Sequence, residues 1–216
     1  QVWKQMTEPN KLYNKIKNDF TWIAFIDVDE FIVTKKNEQN TIVNELKNTF
    51  DDCDCIKIPW VMMSSNGIKN NPKSVLQTNI YRWNHDNKLP NPKRKLRCRY
   101  DSIEVKCIFK PDKFEIIHVH IPQKPISDDI KVVNSINKGT DQVISVIDDI
   151  FYKNLREVNI KEGYLLCYHY RMISRENNIN KIKNNMFYQH NFTIHDLEQS
   201  DYAEIMDNTL KHKSSI

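Results

Sequence analysis

One stretch, Trp22-Ile23-Ala24-Phe25-Ile26-Asp27-Val28-Asp29-Glu30-Phe31-Ile32, constrains this chain more than any other, because a short apolar run there ends abruptly in three carboxylates. Five of the six residues from Trp22 to Asp27 are apolar without helical spacing, which predicts a strand buried on both faces. The acids then fall at its C-terminal end, where open α/β sheets place their ligands. Asp27 and Asp29 are separated by one residue, so in an extended strand both side chains leave the same face and can converge on one hard cation. That donor chemistry favours Mg²⁺ or Mn²⁺ over Zn²⁺, with Glu30 bracing the site. The competing reading of Asp-x-Asp at a strand end is plain turn chemistry or a helix cap.

The 216 residues suit a single α/β domain with a sizeable core, and nine Phe, nine Tyr and four Trp argue for an ordered interior. The formal net charge of +4 is spread along the chain except for a denser run from Lys88 to Arg99. A solvated loop explains that run better than a nucleic-acid patch, so no nucleic-acid partner is expected. Arg97 and Arg99 flank Cys98 in a strand-like alternation that points both guanidinium groups the same way. The five cysteines, Cys53, Cys55, Cys98, Cys107 and Cys167, are odd in number and form no CxxC pair, which predicts reduced thiols and neither structural zinc nor a full disulfide framework. No apolar run reaches the roughly 20 residues of a membrane span, and no signal-peptide pattern stands at the N-terminus. One sequon is present, Asn191-Phe192-Thr193.

Along the chain, Pro9, Leu12 and Ile16 fit a short helix, and Ile42, Val43, Leu46 and Phe50 fit an amphipathic helix capped by Asn40 or Thr41. Ile56 to Met63 reads as a strand, Ser64 to Lys73 as a loop and Val75 to Trp83 as a further strand; Asn84 to Lys95 is a polar loop. Val105–Phe109 and Glu115–His120 read as a hairpin-like pair around Pro111-Asp112. Asp128 to Asn137 is irregular, whereas Val143, Ile144, Ile147, Ile150, Phe151 and Leu155 have helical spacing. Tyr164 to Tyr170 is a short strand, a helix runs from Ser174 to about Phe187, and His195 to His212 forms the last one. The chain divides at this level into residues 1–63, 64–190 and 191–216.

The pattern W-h-h-F-h-D-x-D-E-F, with h apolar, resembles the signature of GT-A type glycosyltransferases, specifically the family-2-like and family-92-like enzymes. Further segments match in order: Ile58-Pro59-Trp60 leading to Met63-Ser64-Ser65-Asn66-Gly67, then Val105-Lys106-Cys107-Ile108-Phe109-Lys110-Pro111, then Ile117-His118-Val119-His120-Ile121-Pro122, then Tyr168-His169-Tyr170-Arg171-Met172-Ile173-Ser174 with Ile182-Lys183 after a helical stretch. Ile173 stands where the family often has Lys, and Asn66-Gly67 where it often has Gly-His. The resemblance implies a GT-A-like, Rossmann-like mixed sheet flanked by helices. Family members carry a strand, a helix and a second strand for the nucleotide base before the Asp-x-Asp; with 26 residues ahead of Asp27, the expectation is a chain lacking that first unit.

The implied activity is metal-dependent, inverting transfer of a sugar from a nucleotide-sugar donor to a glycan or glycoprotein acceptor. Such transfer needs a cation for the departing diphosphate, a base for the acceptor hydroxyl, and walls that orient both sugars. By resemblance Asp29 is the first metal ligand; Asp27 is the second, or contacts ribose. An imidazole suits Mn²⁺, and His120 matches the family's His-x-Pro as a third ligand. His169 matches another family histidine or is a core residue. Asp101 and Glu104 are the candidate bases. Lys106 and Arg97 are candidate diphosphate contacts, although Lys106 can equally snorkel from a half-buried strand. Trp60, Trp83 and Tyr81 can stack on sugars or fill the core. Two other classes compete: a non-catalytic carbohydrate-binding scaffold, and a haloacid-dehalogenase-like phosphatase, against which Phe31 counts because that fold wants Thr or Val there.

Overall fold

Helix α1 (Thr7–Ile16) begins with Glu8 and Pro9 in its first turn, an acid suited to the positive end of the helix dipole and a residue whose missing N–H is no loss there. The residue it buries is Tyr13, and Leu12, expected on the packing face, is 58% exposed. Tyr13 donates its hydroxyl hydrogen towards the carbonyls of Pro111 and Phe114, at 2.9 and 2.8 Å, and its ring packs on Phe109. Asn10 fixes the same helix to Ile117 through paired side-chain hydrogen bonds.

The computed structural model describes residues 6–87, 103–136, 150–152 and 155–213. Backbone proximity divides the chain into two units, one drawn from Gln1–Trp60, Ile103–Lys153 and Val158–Cys167, the other from Val61–Ser102, Asn154–Glu157 and Tyr168–Ile216. The fold is mixed α/β. Strands β1 (Ile23–Ala24), β2 (Glu30–Thr34), β3 (Cys55–Ser64), β5 (Ile103–Phe109) and β10 (Leu165–His169) take the order β1-β5-β3-β10-β2; β1, β2, β5, Cys55–Trp60 of β3 and Leu165–Cys167 of β10 belong to the first unit, and β4 (Tyr81–Arg82) to the second. The first unit also contains β6 (Phe114–Ile117), β7 (Pro122–Pro125), β8 (Val132–Asn134) and β9 (Phe151–Tyr152). β5 pairs antiparallel with β1, β3 and β9, while β3 pairs parallel with β8, so the sheet is mixed as the sequence leads one to expect.

The strand buried on both faces turns out to be β3, every residue of which is buried, and not Trp22–Asp27. β1 is only two residues long and lies at the end of the strand order, with Ala24 exposed and Ile26 39% exposed. The pairing stops after Ala24 and the chain turns at Asp27–Glu30, so the run is too short and too close to the turn to be enclosed on both faces. Helix α2 (Ile42–Asn48) forms as expected, with Thr41 as its cap accepting from the Asn44 N–H. Glu45, on its buried side, receives donors from Asn37, Asn40 and Thr49; burial pushes its carboxyl up, but these hydrogen bonds outweigh that and hold it below the usual range.

Several other expectations are corrected. Val105–Phe109 and Glu115–His120 do not pair with one another: the 3₁₀ turn Pro111–Lys113 diverts the chain, and β6 pairs instead with β7. The segment Asp128–Asn137 contains β8, held through its parallel register with β3. Of the helical pattern Val143–Leu155, residues 143–149 lie outside the described residues, and Phe151–Tyr152 is strand β9 on the edge of β5. Helix α4 (Glu157–Glu162) ends at Gly163, whose N–H donates to the Asn159 carbonyl.

In the second unit, Val75–Trp83 is not one strand; Ser74 caps a short helix α3 (Val75–Thr78), and only Tyr81–Arg82 pair, with the end of β3 and with β11 (Ile205–Met206). Ser74 sets this break by offering its hydroxyl to the Gln77 N–H. Ser174 caps α5 (Arg175–Asn184), but Asn185 interrupts the expected continuation by capping a new helix, α6 (Met186–Asn191). The expected last helix is likewise divided into α7 (Ile194–Glu198), β11 and α8 (Thr209–Lys213). The organising charge is Arg82, which is bidentate to Glu157 at 2.9 and 2.8 Å and also meets Asp207 at 2.7 Å, where the Tyr168 hydroxyl donates as well. Trp83 is buried against Tyr202, a core residue and not an open sugar platform.

The thiols of Cys53, Cys55, Cys107 and Cys167 are free and buried, and Cys98 lies outside the described residues. Among the described residues no helix is long and apolar enough to cross a membrane. Gly163 is required by close approach: a Cβ there would meet Ile136 Cδ1 at 2.7 Å and the Asn159 carbonyl oxygen at 2.9 Å. Gly163→Ala is therefore expected to destabilise the chain by about 1–3 kcal/mol, read as a lower urea midpoint at unchanged slope.

Candidate active site

The acidic segment forms a tight turn between β1 and β2. The Glu30 N–H donates to the Asp27 carbonyl at 3.1 Å, and the Asp27 N–H donates to Glu30 Oε2 at 2.9 Å, so the two residues close a ring on each other. Val28 at the tip is 100% exposed. Turn chemistry, the competing reading of Asp-x-Asp, is thus what these hydrogen bonds show. Asp27 keeps a half-exposed carboxylate, Asp29 is partly exposed, and Glu30 is buried.

Beneath the turn lies Lys106, on the central part of β5 and fully buried. Its ammonium meets Asp27 Oδ2 at 3.0 Å, Glu30 Oε2 at 3.2 Å and the Val119 carbonyl at 2.8 Å, one oxygen for each of its three hydrogens. The Phe25 ring stands 6.0 Å from the same nitrogen. Snorkelling is therefore not what Lys106 does, since its charge is balanced inside the protein. Removing that ammonium would strand buried negative charge, a loss of the kind that costs about 3–5 kcal/mol.

The hairpin tip between β6 and β7 supplies the other side of the site. It brings the Val119 carbonyl to Lys106 and His120 to β5, where His120 Nδ1 lies 3.1 Å from the Val105 carbonyl. A carbonyl only accepts, so Nδ1 carries the hydrogen and Nε2 keeps the lone pair in the neutral ring. Burial lowers the His120 pKa, with Glu104 as the strongest opposing influence and Asp27 a weaker one. The imidazole packs on Trp60, ring centroids 5.4 Å apart, and Trp60 is thereby a buried support and not an exposed sugar platform. His118 and His120 sit in this turn and not on one strand face; the His118 N–H closes it by donating to the Ile121 carbonyl.

Of the residues singled out from sequence, Asp27, Lys106, Glu104 and His120 are brought into mutual electrostatic reach, and Asp29 follows in the same turn. Asp101 and Arg97 lie outside the described residues. His169 is buried in the second unit, and Tyr81 there is partly exposed. Among the described residues no group of three or more His, Cys, Asp or Glu side chains is gathered to hold a metal ion. What sequence reasoning missed was the depth of the Glu30–Lys106 pair. A lysine amid the apolar residues Val105, Cys107, Ile108 and Phe109 was the available signal, since a buried lysine requires a carboxylate partner.

This constellation can be set beside known proteins. The sequence profile of glycosyltransferase family 92 matches residues 12–212, nearly the whole described chain. The chain belongs to glycosyltransferase family 92. No individually curated protein matches it. Family-92 membership makes the chain a glycosyltransferase by class, and with that class come a nucleotide-sugar donor and a glycan acceptor. The matched span contains the turn, the Lys106 strand and the His120 hairpin alike.

Glu30 gives this family-92 site a pH signature of its own. Burial is the main cause that pushes its carboxyl up to about 7, against the lowering effects of Lys106 and the Asp27 N–H. Because folding raises this pKa from 4.5, the folded chain holds the extra proton between those values. The stability linked to it is complete at the acid end and is lost as pH climbs through 7. In metal-free protein, Glu30→Gln should flatten the fall in unfolding free energy between pH 5 and 8 by roughly 2–3 kcal/mol, measured by urea denaturation at each pH.

Proposed function

We propose that this family-92 chain performs inverting, divalent-cation-assisted transfer of a sugar from a nucleotide-sugar to a hydroxyl of a glycan or glycoprotein, on a GT-A-like fold. The observation that supports this most directly is the Asp27–Glu30 turn held over the buried Lys106 ammonium, which keeps the Asp27 carboxylate half-exposed and places the partly exposed Asp29 in the same turn. Mg²⁺ and Mn²⁺ are commonly held by one or two carboxylates together with substrate phosphates and not by an all-protein cage. The Asp27 and Asp29 carboxylates suit that mode, which needs no third protein ligand, and among the described residues His120 is not gathered with them into a three-residue set. Glu30, whose Oε1 is buried and without a hydrogen bond among the described residues, adds negative potential beneath the turn once pH rises past about 7. When bound, Mn²⁺ or Mg²⁺ supplies positive charge against the departing diphosphate.

The chain's own residues take the remaining roles. Lys106 positions the Asp27 carboxylate and is a positioning residue in this reading, replacing the direct diphosphate contact that its place in the sequence suggests. Glu104, the carboxylate with the strongest electrostatic influence on His120, is the candidate base that accepts the proton of the acceptor hydroxyl as its oxygen attacks the anomeric carbon and the bond to diphosphate breaks. Asp101 is the alternative base, read from its place just before the Lys106 strand, and Arg97 a diphosphate contact, read from the basic run in which it stands; both lie outside the described residues. Calorimetry with Mn²⁺ and a panel of nucleoside diphosphates tests the proposal. Metal-dependent binding is expected for one of them, abolished in Asp29→Ala and unaltered in Leu12→Ala; nucleotide binding indifferent to EDTA, or retained by Asp29→Ala, would refute it.

A further inference from the structure

The second unit contains a groove of about 670 Å³ lined by Lys69, Asn70, Arg175, Glu176, Ile179, Asn180 and Lys183, within the roughly 300–1,000 Å³ range of small-ligand sites. One wall is α5, where Arg175, Ile179 and Lys183 recur every four residues and Glu176 and Asn180 run beside them, a single stripe along the helix. The other wall is the loop after β3. The Arg175 and Glu176 N–H groups donate to the Ile68 and Lys69 carbonyls, both at 2.9 Å; the Asn71 N–H donates to Glu176 Oε2 at 2.8 Å; and the Ser174 hydroxyl donates to Asn71 Oδ1 at 2.7 Å. Asn66 and Gly67, at φ 49° and 73°, turn the loop into this position. The walls are therefore fixed to each other before any ligand arrives, which reduces the ordering a ligand must impose.

The lining carries three cations and one anion. Glu176 has one carboxylate oxygen committed to the loop backbone, and Arg175 is shared with Glu198 at 2.8 Å. Lys69 and Lys183 have no carboxylate within ion-pair distance among the described residues. Asn70 and Asn180 add amides that can both donate to and accept from hydroxyl groups, and Ile179 is the single apolar side chain. No aromatic ring lines the groove, so nucleobases, which bind by stacking, have no platform here.

We propose that this groove binds an oligosaccharide segment bearing an anionic group, a uronate carboxylate or a sulfate or phosphate ester, with Lys69 and Lys183 on the anion and the two asparagines on neighbouring hydroxyls. The inference rests on the glycosyltransferase class of the chain and not on the cation reading of the Asp27 turn. The test is calorimetric titration of the metal-free full chain with a uronic-acid trisaccharide, its neutral counterpart, a sulfated neutral trisaccharide and inorganic phosphate. The anionic saccharides should bind at least about tenfold more tightly than the neutral one, and more weakly as salt is raised. The Lys69→Ala/Lys183→Ala pair should erase that preference, Lys69→Arg/Lys183→Arg should restore it, and Asp29→Ala should leave it intact. Uronate against sulfate ester identifies the source of the anion. Equal affinity for charged and neutral saccharides, no saccharide binding, phosphate alone binding as tightly as the saccharides, or a double alanine variant that binds like the parent would each overturn the proposal.

Discussion

A single buried ammonium organises the candidate active site. Lys106 can remain charged in the interior because two carboxylates and a carbonyl come to it from two loops, and those loops keep their shapes because they come to it. Apolar packing helps to bring the hairpin tip to β5, since Ile121 is buried in one cluster with Val105, Cys107 and Phe109 and Val119 packs against it, while the Asp27–Glu30 turn reaches β5 through the Lys106 ion pairs. The Glu30 side chain is drawn inward as counter-ion, while Asp27 is shared between that interior charge and solvent. In this way one pairing decides which acid of the segment faces outward and which does not.

Much of the chain could be read from its residues, where local chemistry was strong. Thr41 before Ile42 and Ser174 before Arg175 marked helix starts, because their hydroxyls satisfy N–H groups that a helix leaves open. The apolar run after Cys55 became a strand. Failures arose where tertiary pairing overrode local pattern. Trp22–Asp27 is as apolar as β3, but no sequence pattern says that its pairing stops after two residues. Val75–Trp83 has a strand's apolar composition, but Ser74 caps a short helix there, and Asn185 caps a new helix where the pattern from Ser174 runs on unbroken. Within the site, the residue types were legible but their depth was not: burial of Lys106 and Glu30 depends on which loops cover β5, which is set by contacts more than ten residues apart in sequence.

Lys106 in the first unit and Arg82 in the second are both buried cations, and they differ in a way that follows from side-chain shape. Arg82 presents a planar fork, so it takes Glu157 edge-on through two parallel hydrogen bonds and uses its remaining Nε–H for Asp207. Lys106 presents a tripod and gathers three separate oxygens. The fork suits a rigid join between β4 and elements distant in sequence. The tripod leaves Asp27 an oxygen that is not committed to it, and a residue with a carboxylate still partly in solvent is what a ligand-handling turn needs.

The sulfur chemistry of the fold carries a practical corollary. Burial pushes the thiols of Cys55 and Cys167 well above their ordinary value, and Cys53, Cys55, Cys107 and Cys167 are all enclosed. Since only thiolate reacts with electrophiles, an alkylating reagent finds these sulfurs solely when the central strands part. The protein thus contains built-in chronometers of breathing: the pace at which each position is tagged reports how often β3, β5 or β10 separates from its neighbours, with no label engineered in.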